Sequence, residues 1–240
     1  MIITGKTVLV TGANRGIGQA LAEEALARDA KRVYAGTRVR MTHPDGRVTP
    51  LTLDVTSAEQ IQEAAETVSS LDILINNAGV QYQDDLSDRA ALERHLAVNL
   101  FGTHSVIQAF LPHLAQARGA IVNILSLNAL APLPLIPAYS ISKAAAFNMT
   151  QSLRALLAGR GIQVHAVHPG PVDTDMIRSL GIPKASVPSV ARAIFDAVEK
   201  EEEDIFPDPM SQPMAESWRN GAAKALEQQL AAFVQTPVTA

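Results

Sequence analysis

Residues 7–21, TVLVTGANRGIGQAL, leave this chain few folds to choose from. A β-rich apolar run enters a glycine, and a helical apolar pattern starts within five positions. Gly12, Gly16 and Gly18 fall in the spacing G-x-x-x-G-x-G. A strand that feeds a helix through such a turn aims backbone N–H groups and the positive helix end at an anion. Gly12 permits the tight turn. Gly16 lets a pyrophosphate approach the backbone, and Gly18 lets the helix pack closely on the strand. A glycine triplet alone is also found in ordinary loops. Here it follows the first strand and opens the first helix, which is the context nucleotide binding requires.

The rest of the chain continues the pattern. Short β-rich runs recur at 32–37, 48–55, 71–79, 119–126, 162–170 and 203–208. Several are near-continuous in apolar residues, as strands buried on both faces of a parallel sheet are. Helical patterns lie between them at 16–29, 57–70, 88–116, 139–159 and 186–202. Ser57 is a good N-cap, with Gln60 three residues on. The alternation predicts an α/β fold of βαβ units: one doubly wound domain over 1–240, its central seven-stranded, mostly parallel sheet covered by helices on both faces. The connection from Thr37 to Val48 has only ten residues. A parallel crossover usually needs a dozen or more, so a loop or single turn is expected there. The acidic run 200–204 reads as a solvated helix end.

Composition removes whole classes of function. With no cysteine, there is no disulfide framework, thiolate metal site or cysteine nucleophile. The histidines are scattered and predict no metal site. The net charge is −4, and Lys and Arg form no dense patch, so no nucleic-acid partner is expected. The apolar stretch 127–139 carries three prolines and is too short to span a bilayer. The N-terminus lacks the apolar length of a signal peptide. The expectation is a soluble, cytoplasmic protein with no membrane partner.

One pair of residues then poses a question. Tyr139 and Lys143 sit four apart at the start of a helix, which puts both side chains on one face. An aromatic hydroxyl beside an amine is either an accident of an amphipathic helix or an acid–base device.

At this point the chain resembles the short-chain dehydrogenase/reductase family along nearly its whole length. TGANRGIG (11–18) is similar to the family's cofactor turn, T-G-x-x-x-G-x-G. LDV (53–55) resembles its acidic motif after the third strand. NNAG (76–79) matches the end of its fourth strand, and Asn99 falls at its helix asparagine. Ser126 precedes Tyr139 by thirteen positions, YSISK is its Y-x-x-x-K, and HPGPVDT (168–174) resembles its P-G-x-V-x-T element. There are departures. His168 stands for the usual Asn, the second crossover is short, and Leu127 and Asn128 follow Ser126 in place of another small polar residue.

The resemblance implies a Rossmann-type fold, a nicotinamide dinucleotide and catalytic roles for Asn99, Ser126, Tyr139 and Lys143. Tyr139 would donate the proton. An unperturbed tyrosine titrates near 10, and Lys143 as a cation would lower that value and also bind the nicotinamide ribose. Ser126 would hold the carbonyl oxygen, and Asn99 a water in a proton relay. The glycine turn (Gly12, Asn14, Arg15, Gly16, Ile17, Gly18) would hold the phosphates. Asp54 and Val55 would meet the adenine. Asn76, Ala78 and Gly79 would border the cofactor, Asn76 chiefly as a structural bridge. Pro169, Gly170, Val172 and Thr174 would lie beside the nicotinamide, Thr174 also being a candidate helix N-cap. Where a family member specific for NAD has an acidic residue, this chain has Thr37, followed by Arg38. Arg38 and Arg15 would clamp a 2′-phosphate, which makes the expected cofactor NADP(H).

Gln81, Tyr82, Leu127, Asn128, Ile136, Pro171, Met176 and Ile177 are the expected substrate pocket, with 173–188 as a lid. Its mostly apolar lining predicts a hydrophobic or aromatic ketone or alcohol as the small-molecule partner. A 3-oxoacyl-carrier reductase of the same family and a non-catalytic dinucleotide sensor are the competing readings. The resemblance also implies a homodimer or homotetramer joined through helices 88–116 and 139–159. Ala144, Ala145 and Ala146 would sit on the seam, with Phe147 and Met149 filling it.

Overall fold

The computed structural model describes residues 1–235; the last five residues of the expected 1–240 span lie outside the described ones. Seven strands form one sheet: β1 (Thr7–Thr11), β2 (Arg32–Thr37), β3 (Val48–Thr52), β4 (Ile73–Asn76), β5 (Ala120–Ile124), β6 (Gln163–Val167) and β7 (Asp204–Ile205). Their order is β3-β2-β1-β4-β5-β6-β7, and every pairing is parallel. The chain leaves β1 in one direction and returns at β4 on its other side. That reversal opens a crevice at the C-terminal ends of the central strands.

Side-chain alternation assigns the two faces. Val8, Val10, Ile73, Ile75, Val122 and Ile124 face α1 (Gly16–Ala27) and α6 (Val187–Glu199), where Leu21, Ile194 and Phe195 complete one core layer. Leu9, Leu74 and Ile121 face the other way. They meet α2 (Ala58–Thr67), α4 (Thr103–Ala117) and α5 (Pro137–Ala158) through Ile61, Phe110, Leu114 and Leu153. Ser57 caps α2 as expected, its hydroxyl accepting from the Gln60 amide. The Gln60 side chain reaches further back than a capping box would, to the amide of Asp54 at 2.7 Å.

The short crossover 38–47 contains no helix. Asp45 organises it. Its carboxylate takes the Arg47 amide at 2.8 Å and grips the Arg47 guanidinium, which holds the carboxyl down to about 2. Its carbonyl accepts the Val48 N–H at 3.0 Å. Pro50 lies in the middle of β3.

Two expectations need correction, and one stretch of the chain went unread. The helix read over 88–116 is interrupted: α3 (Arg89–Leu96) passes into a π-helical turn (Ala97–Gly102) before α4. Gly102 packs so closely on Val55 that an added Cβ would lie 2.7 Å from Val55 Cγ2. The chain beyond 208 also forms helices that its sequence did not announce, α7 (Met214–Arg219) and α8 (Ala222–Gln235). Finally, the acidic run is not simply solvated. The Asp204 side chain is only 6% exposed, and Lys224 of α8 donates to it at 2.7 Å and to Glu227 at 3.1 Å. Arg154 of α5 joins the same cluster through Asp204 at 3.2 Å and through Glu227. Burial works to raise the Asp204 carboxyl, but the His168 side chain together with Arg154 and Lys224 outweighs it and holds the carboxyl well below the usual range.

The expected seam also divides. Ala144 is exposed and Ala145 and Met149 half-buried, but Ala146 and Phe147 turn into their own core. Phe147 is filled in on both sides, against His168 at 4.7 Å and Trp218 at 5.4 Å between ring centroids. Among the described residues, no helix is long and apolar enough to cross a membrane, and no group of three or more His, Asp or Glu could hold a metal.

Candidate active site

A cavity of about 760 Å³ opens at the C-terminal ends of β1, β4, β5 and β6. Its floor is the glycine turn. Gly12 and Gly16 take positive φ (68° and 54°), a region that side chains with a Cβ rarely adopt. Gly18 has a different reason to be glycine: a Cβ there would lie 2.2 Å from the Gly12 carbonyl oxygen. Helix α1 starts at Gly16 without any side-chain cap. Its first amides therefore stay available to an anion. Behind the turn, Thr11 Oγ1 accepts the amides of Asn77 and Ala78, both at 3.0 Å, which ties β1 to the end of β4.

Most expected cofactor residues line this cavity: Asn14, Arg15, Ile17, Arg38, Asp54, Val55, Ala78, Gly79, Pro169, Gly170, Val172 and Thr174. Thr174 heads a short 3₁₀ turn, but its hydroxyl bonds the Val172 carbonyl at 3.3 Å and does not cap. Burial raises the Asp54 carboxyl, yet the Thr56 amide and hydroxyl, with Arg38 nearby, hold it below the usual carboxylate range. Arg15 reaches Asp175 across the cavity mouth at 3.4 Å, a bridge from the glycine turn to the segment expected as a lid. Arg15 and Arg38 both line the same cavity.

Three cofactor candidates fall off the cavity wall: Gly18, packed against the Gly12 carbonyl, and two strand-end residues. Thr37 is buried, and its hydroxyl donates to the Val39 carbonyl at 2.6 Å. Asn76 is buried between strands, where its amide donates to Asn123 Oδ1 at 2.9 Å. Both side chains are spent on the strand ends, so they shape the site without facing it.

Ser126, Tyr139 and Lys143 meet on one wall. The end of β5 carries Ser126, and the first turns of α5 carry the other two. The Ser126 hydroxyl bonds the Tyr139 hydroxyl. Lys143 Nζ donates to the Ile124 carbonyl at 2.9 Å and lies 5.7 Å from the centre of the Tyr139 ring. The titration of the pair differs from expectation. Burial pushes Tyr139 up to about 12, against the Ser126 hydrogen bond. Burial also pushes Lys143 down to about 8. Desolvation disfavours both charged forms and outweighs the electrostatic help that Lys143 gives a phenolate.

Asn99 stands in the π-helical turn behind this wall, and both donors of its carboxamide are committed. Oδ1 accepts the Val80 amide at 2.9 Å, and Nδ2 donates to the Val80 carbonyl at 3.0 Å and to Ser142 Oγ at 2.9 Å. Oδ1 keeps a second lone pair with which it can accept one further hydrogen bond. Gly79 separates it from Lys143: a Cβ on Gly79 would lie 3.2 Å from Asn99 Oδ1 and 3.6 Å from Lys143 Nζ.

At the other end, Gln81, Leu127, Asn128, Ile136, Pro171, Met176 and Ile177 line the cavity as expected. Tyr82 does not; it lies edge-on to His95, with centroids 5.4 Å apart. Residues that went unread complete the lining, including Gln83, Leu133, Leu135 and Met210. His95 is fully buried. Its Nδ1 faces the Ala91 carbonyl at 2.7 Å and so carries the proton, which leaves Nε2 to accept the Tyr82 amide at 3.0 Å. Its ring buttresses Tyr139 at 6.3 Å. Asp84 supplies a cap from another loop, with both carboxylate oxygens within 3.3 Å of the Ala138 amide at the start of α5. No local pattern marks either role, because each depends on a partner from a separate segment.

Comparison with known proteins adds an independent line. The family model described as short chain dehydrogenase matches residues 6–184. A solved short chain dehydrogenase from Burkholderia cenocepacia J2315, in complex with NADP, is 38% identical with a TM-score of 0.87, covering 99% of this chain and 100% of that one. Estradiol 17-beta-dehydrogenase 2 of Rattus norvegicus is 32% identical over 84% of this chain and 56% of its own length. The mouse protein is similar over 54% of its length, so the chain spans about half of these two relatives. A 3-oxoacyl-[acyl-carrier-protein] reductase from Thermotoga maritima is 36% identical over 75% of this chain and 79% of its own length.

Proposed function

The chain belongs to the short chain dehydrogenase family, and on that premise we propose that it is an NADP(H)-dependent oxidoreductase that reduces an apolar ketone or aldehyde to the alcohol. The observation that carries this reading is the convergence of Ser126, Tyr139 and Lys143 on one cavity wall, opposite an uncapped glycine turn.

The residues fit the dinucleotide. The α1 amides and Gly16 would take the pyrophosphate, Asp54 and Val55 would border the adenine, and Lys143 would reach the ribose with the protons its bond to Ile124 leaves free. Arg38 would meet the 2′-phosphate, with no carboxylate at position 37 to repel it. When bound, the cofactor supplies the hydride that adds to the carbonyl carbon. Tyr139 transfers its proton to the carbonyl oxygen, and Ser126 holds that oxygen in place. A tyrosine held at about 12 is protonated at neutral pH, which suits proton donation and hence the direction of reduction. Lys143 passes a proton back to Tyr139 after the transfer. Asn99 acts through Val80 and Ser142, as a positioning residue.

Leu133, Leu135, Ile136, Met176 and Met210 give the substrate end an apolar surface, which favours an uncharged, hydrophobic carbonyl. The Thermotoga relative favours a second reading, reduction of a carrier-bound 3-oxoacyl chain. A carrier protein needs basic docking residues. Arg178 is instead paired with Asp175, and Lys184 Nζ donates to the Arg178 carbonyl at 3.3 Å, so the first reading stands ahead. Self-association would use the outer face of α5, where Ile141, Ala144 and Leu156 are exposed.

An NADPH-oxidation screen over ketones of graded size tests the proposal, run in parallel with NADH. Turnover of apolar ketones with kcat/KM higher for NADPH is the expected result. No turnover of any carbonyl, or a clear preference for NADH, would refute it.

A further inference from the structure

The segment Pro169-Gly170-Pro171 borders the cavity, and two of its three residues have no backbone N–H. Gly170 carries the only amide donor in this stretch. It does not point at the cavity. It donates to Asp208 Oδ2 at 2.8 Å, across 38 residues of sequence. Asp208 follows β7 and is 2% exposed. Every lone-pair direction of its carboxylate is used: Oδ2 also takes the Ser211 hydroxyl at 2.8 Å, and Oδ1 takes the amides of Met210 at 3.0 Å and Ser211 at 3.1 Å. The one carboxylate therefore orients two pieces of cavity wall, the Gly170 peptide and Met210. The fit is tight, since a Cβ on Gly170 would lie 2.8 Å from Asp208 Oδ1 and 3.1 Å from Met210 Cβ. Pro169 is held from the other side, its carbonyl accepting the Leu127 amide at 3.0 Å beside Ser126.

We propose that Asp208 is a positioning residue that sets the nicotinamide end of the site, by clamping the Gly170 peptide and the Met210 turn with separate carboxylate oxygens. The proposal rests on the NADP(H) reading above. It explains why an acid is required. An asparagine keeps one acceptor for the Met210 and Ser211 amides but turns an NH₂ toward the Gly170 N–H. The turn persists and the wall is released. A residue with only a fold role would instead weaken all parts of the site together.

The test compares two ligands by titration calorimetry on the full chain: NADPH, and adenosine 2′,5′-bisphosphate, which carries the adenine end and no nicotinamide. Asp208→Asn is expected to weaken NADPH by about tenfold, the scale of one hydrogen bond to a charged group, and to leave the bisphosphate within about twofold. Gly170→Ala presses on the same carboxylate from its partner and is expected to give the same split, which keeps the test open if Asp208→Asn does not fold. Equal weakening of both ligands, or unchanged NADPH affinity in a folded variant, overturns the proposal. A wild-type chain that binds neither ligand overturns the cofactor reading, and this proposal with it.

Discussion

Lys143 is charged where charge is costly, and the cost has a definite pH dependence. Burial moves its ammonium from 10.5 down to about 8, which at 1.36 kcal/mol per pH unit costs the folded state about 3 kcal/mol at neutral pH. Above 10.5 the lysine is neutral whether folded or unfolded, and the penalty vanishes. Between 8 and 10.5 the unfolded chain binds more protons, so stability rises with pH across that window. Below 8 both states are charged, and the penalty is constant. Tyr139 acts in the opposite sense. Its folded value is raised from 10.0 to about 12, so its contribution is complete below 10 and is lost as pH rises through 12. The two windows barely overlap, which lets them be separated. Lys143→Met keeps the stem packed and removes the titration, while leaving the Ile124 carbonyl without its 2.9 Å donor. The offset between wild type and variant at one pH is therefore ambiguous, but its change with pH is not. Urea unfolding followed by circular dichroism at pH 7.5, 8.5, 9.5 and 10.5 is the assay. Wild type is expected to gain about 3 kcal/mol relative to Lys143→Met across the series. Curves that stay parallel, within about 0.5 kcal/mol, would show that the ammonium is not desolvated as argued.

Three further outcomes are expected. Tyr139→Phe removes only the hydroxyl and should lower kcat by about 10²–10⁴-fold in a ketone-reduction assay while NADPH affinity, read by calorimetry, stays nearly unchanged; a variant with more than about a tenth of wild-type kcat contradicts proton donation by Tyr139. Gly18→Ala places a methyl 2.2 Å from the Gly12 carbonyl oxygen and 2.4 Å from Asn77 Nδ2. It should cost at least about 2 kcal/mol in thermal unfolding, so a near-neutral Tm is the contrary result. Asp84→Ala removes the cap from the first turn of α5 and should cost about 1 kcal/mol, with a fall in kcat because Tyr139 is one residue beyond the capped amide; unchanged stability and rate would discount the cap.

The seven strands were legible because their signal is local: β-rich runs alternating with helical periods, each closed by its own punctuation. The glycine turn was legible for the same reason, and so was the missing helix at 38–47, since ten residues cannot hold a crossover helix. The interrupted helix was not. Residues 88–116 keep a helical period throughout, and the π-helical turn arises where Gly102 is pressed on Val55, a contact with another segment. Asp208, Asp84 and His95 escaped notice because their partners, Gly170, Ala138 and Tyr82, lie on different elements and nothing in their own neighbourhood points to them. The Tyr139 titration was misjudged in a similar way. Spacing places Lys143 beside it, but only the packed structure reveals how completely both are taken out of water. Thr37 was assigned by motif position, which does not tell a side chain that faces the cavity from one that locks the strand behind it, whereas Asn76, read chiefly as a structural bridge, makes that bridge to Asn123.

The edge of the sheet at β3 has a consequence for how copies of this chain can meet. An open edge strand offers a row of unpaired N–H groups on which another chain can polymerise. The bonds from Val33 to the Arg47 carbonyl and from Leu53 to the Thr37 carbonyl set which residues face inward, so Val48, Pro50 and Thr52 face out. Val48 has its N–H turned back to Asp45, and Pro50 has none. One outward donor is left, on Thr52. The opposite edge, β7, is two residues long. Neither border offers a long row of free donors, so runaway growth by strand addition is disfavoured at both edges of the sheet.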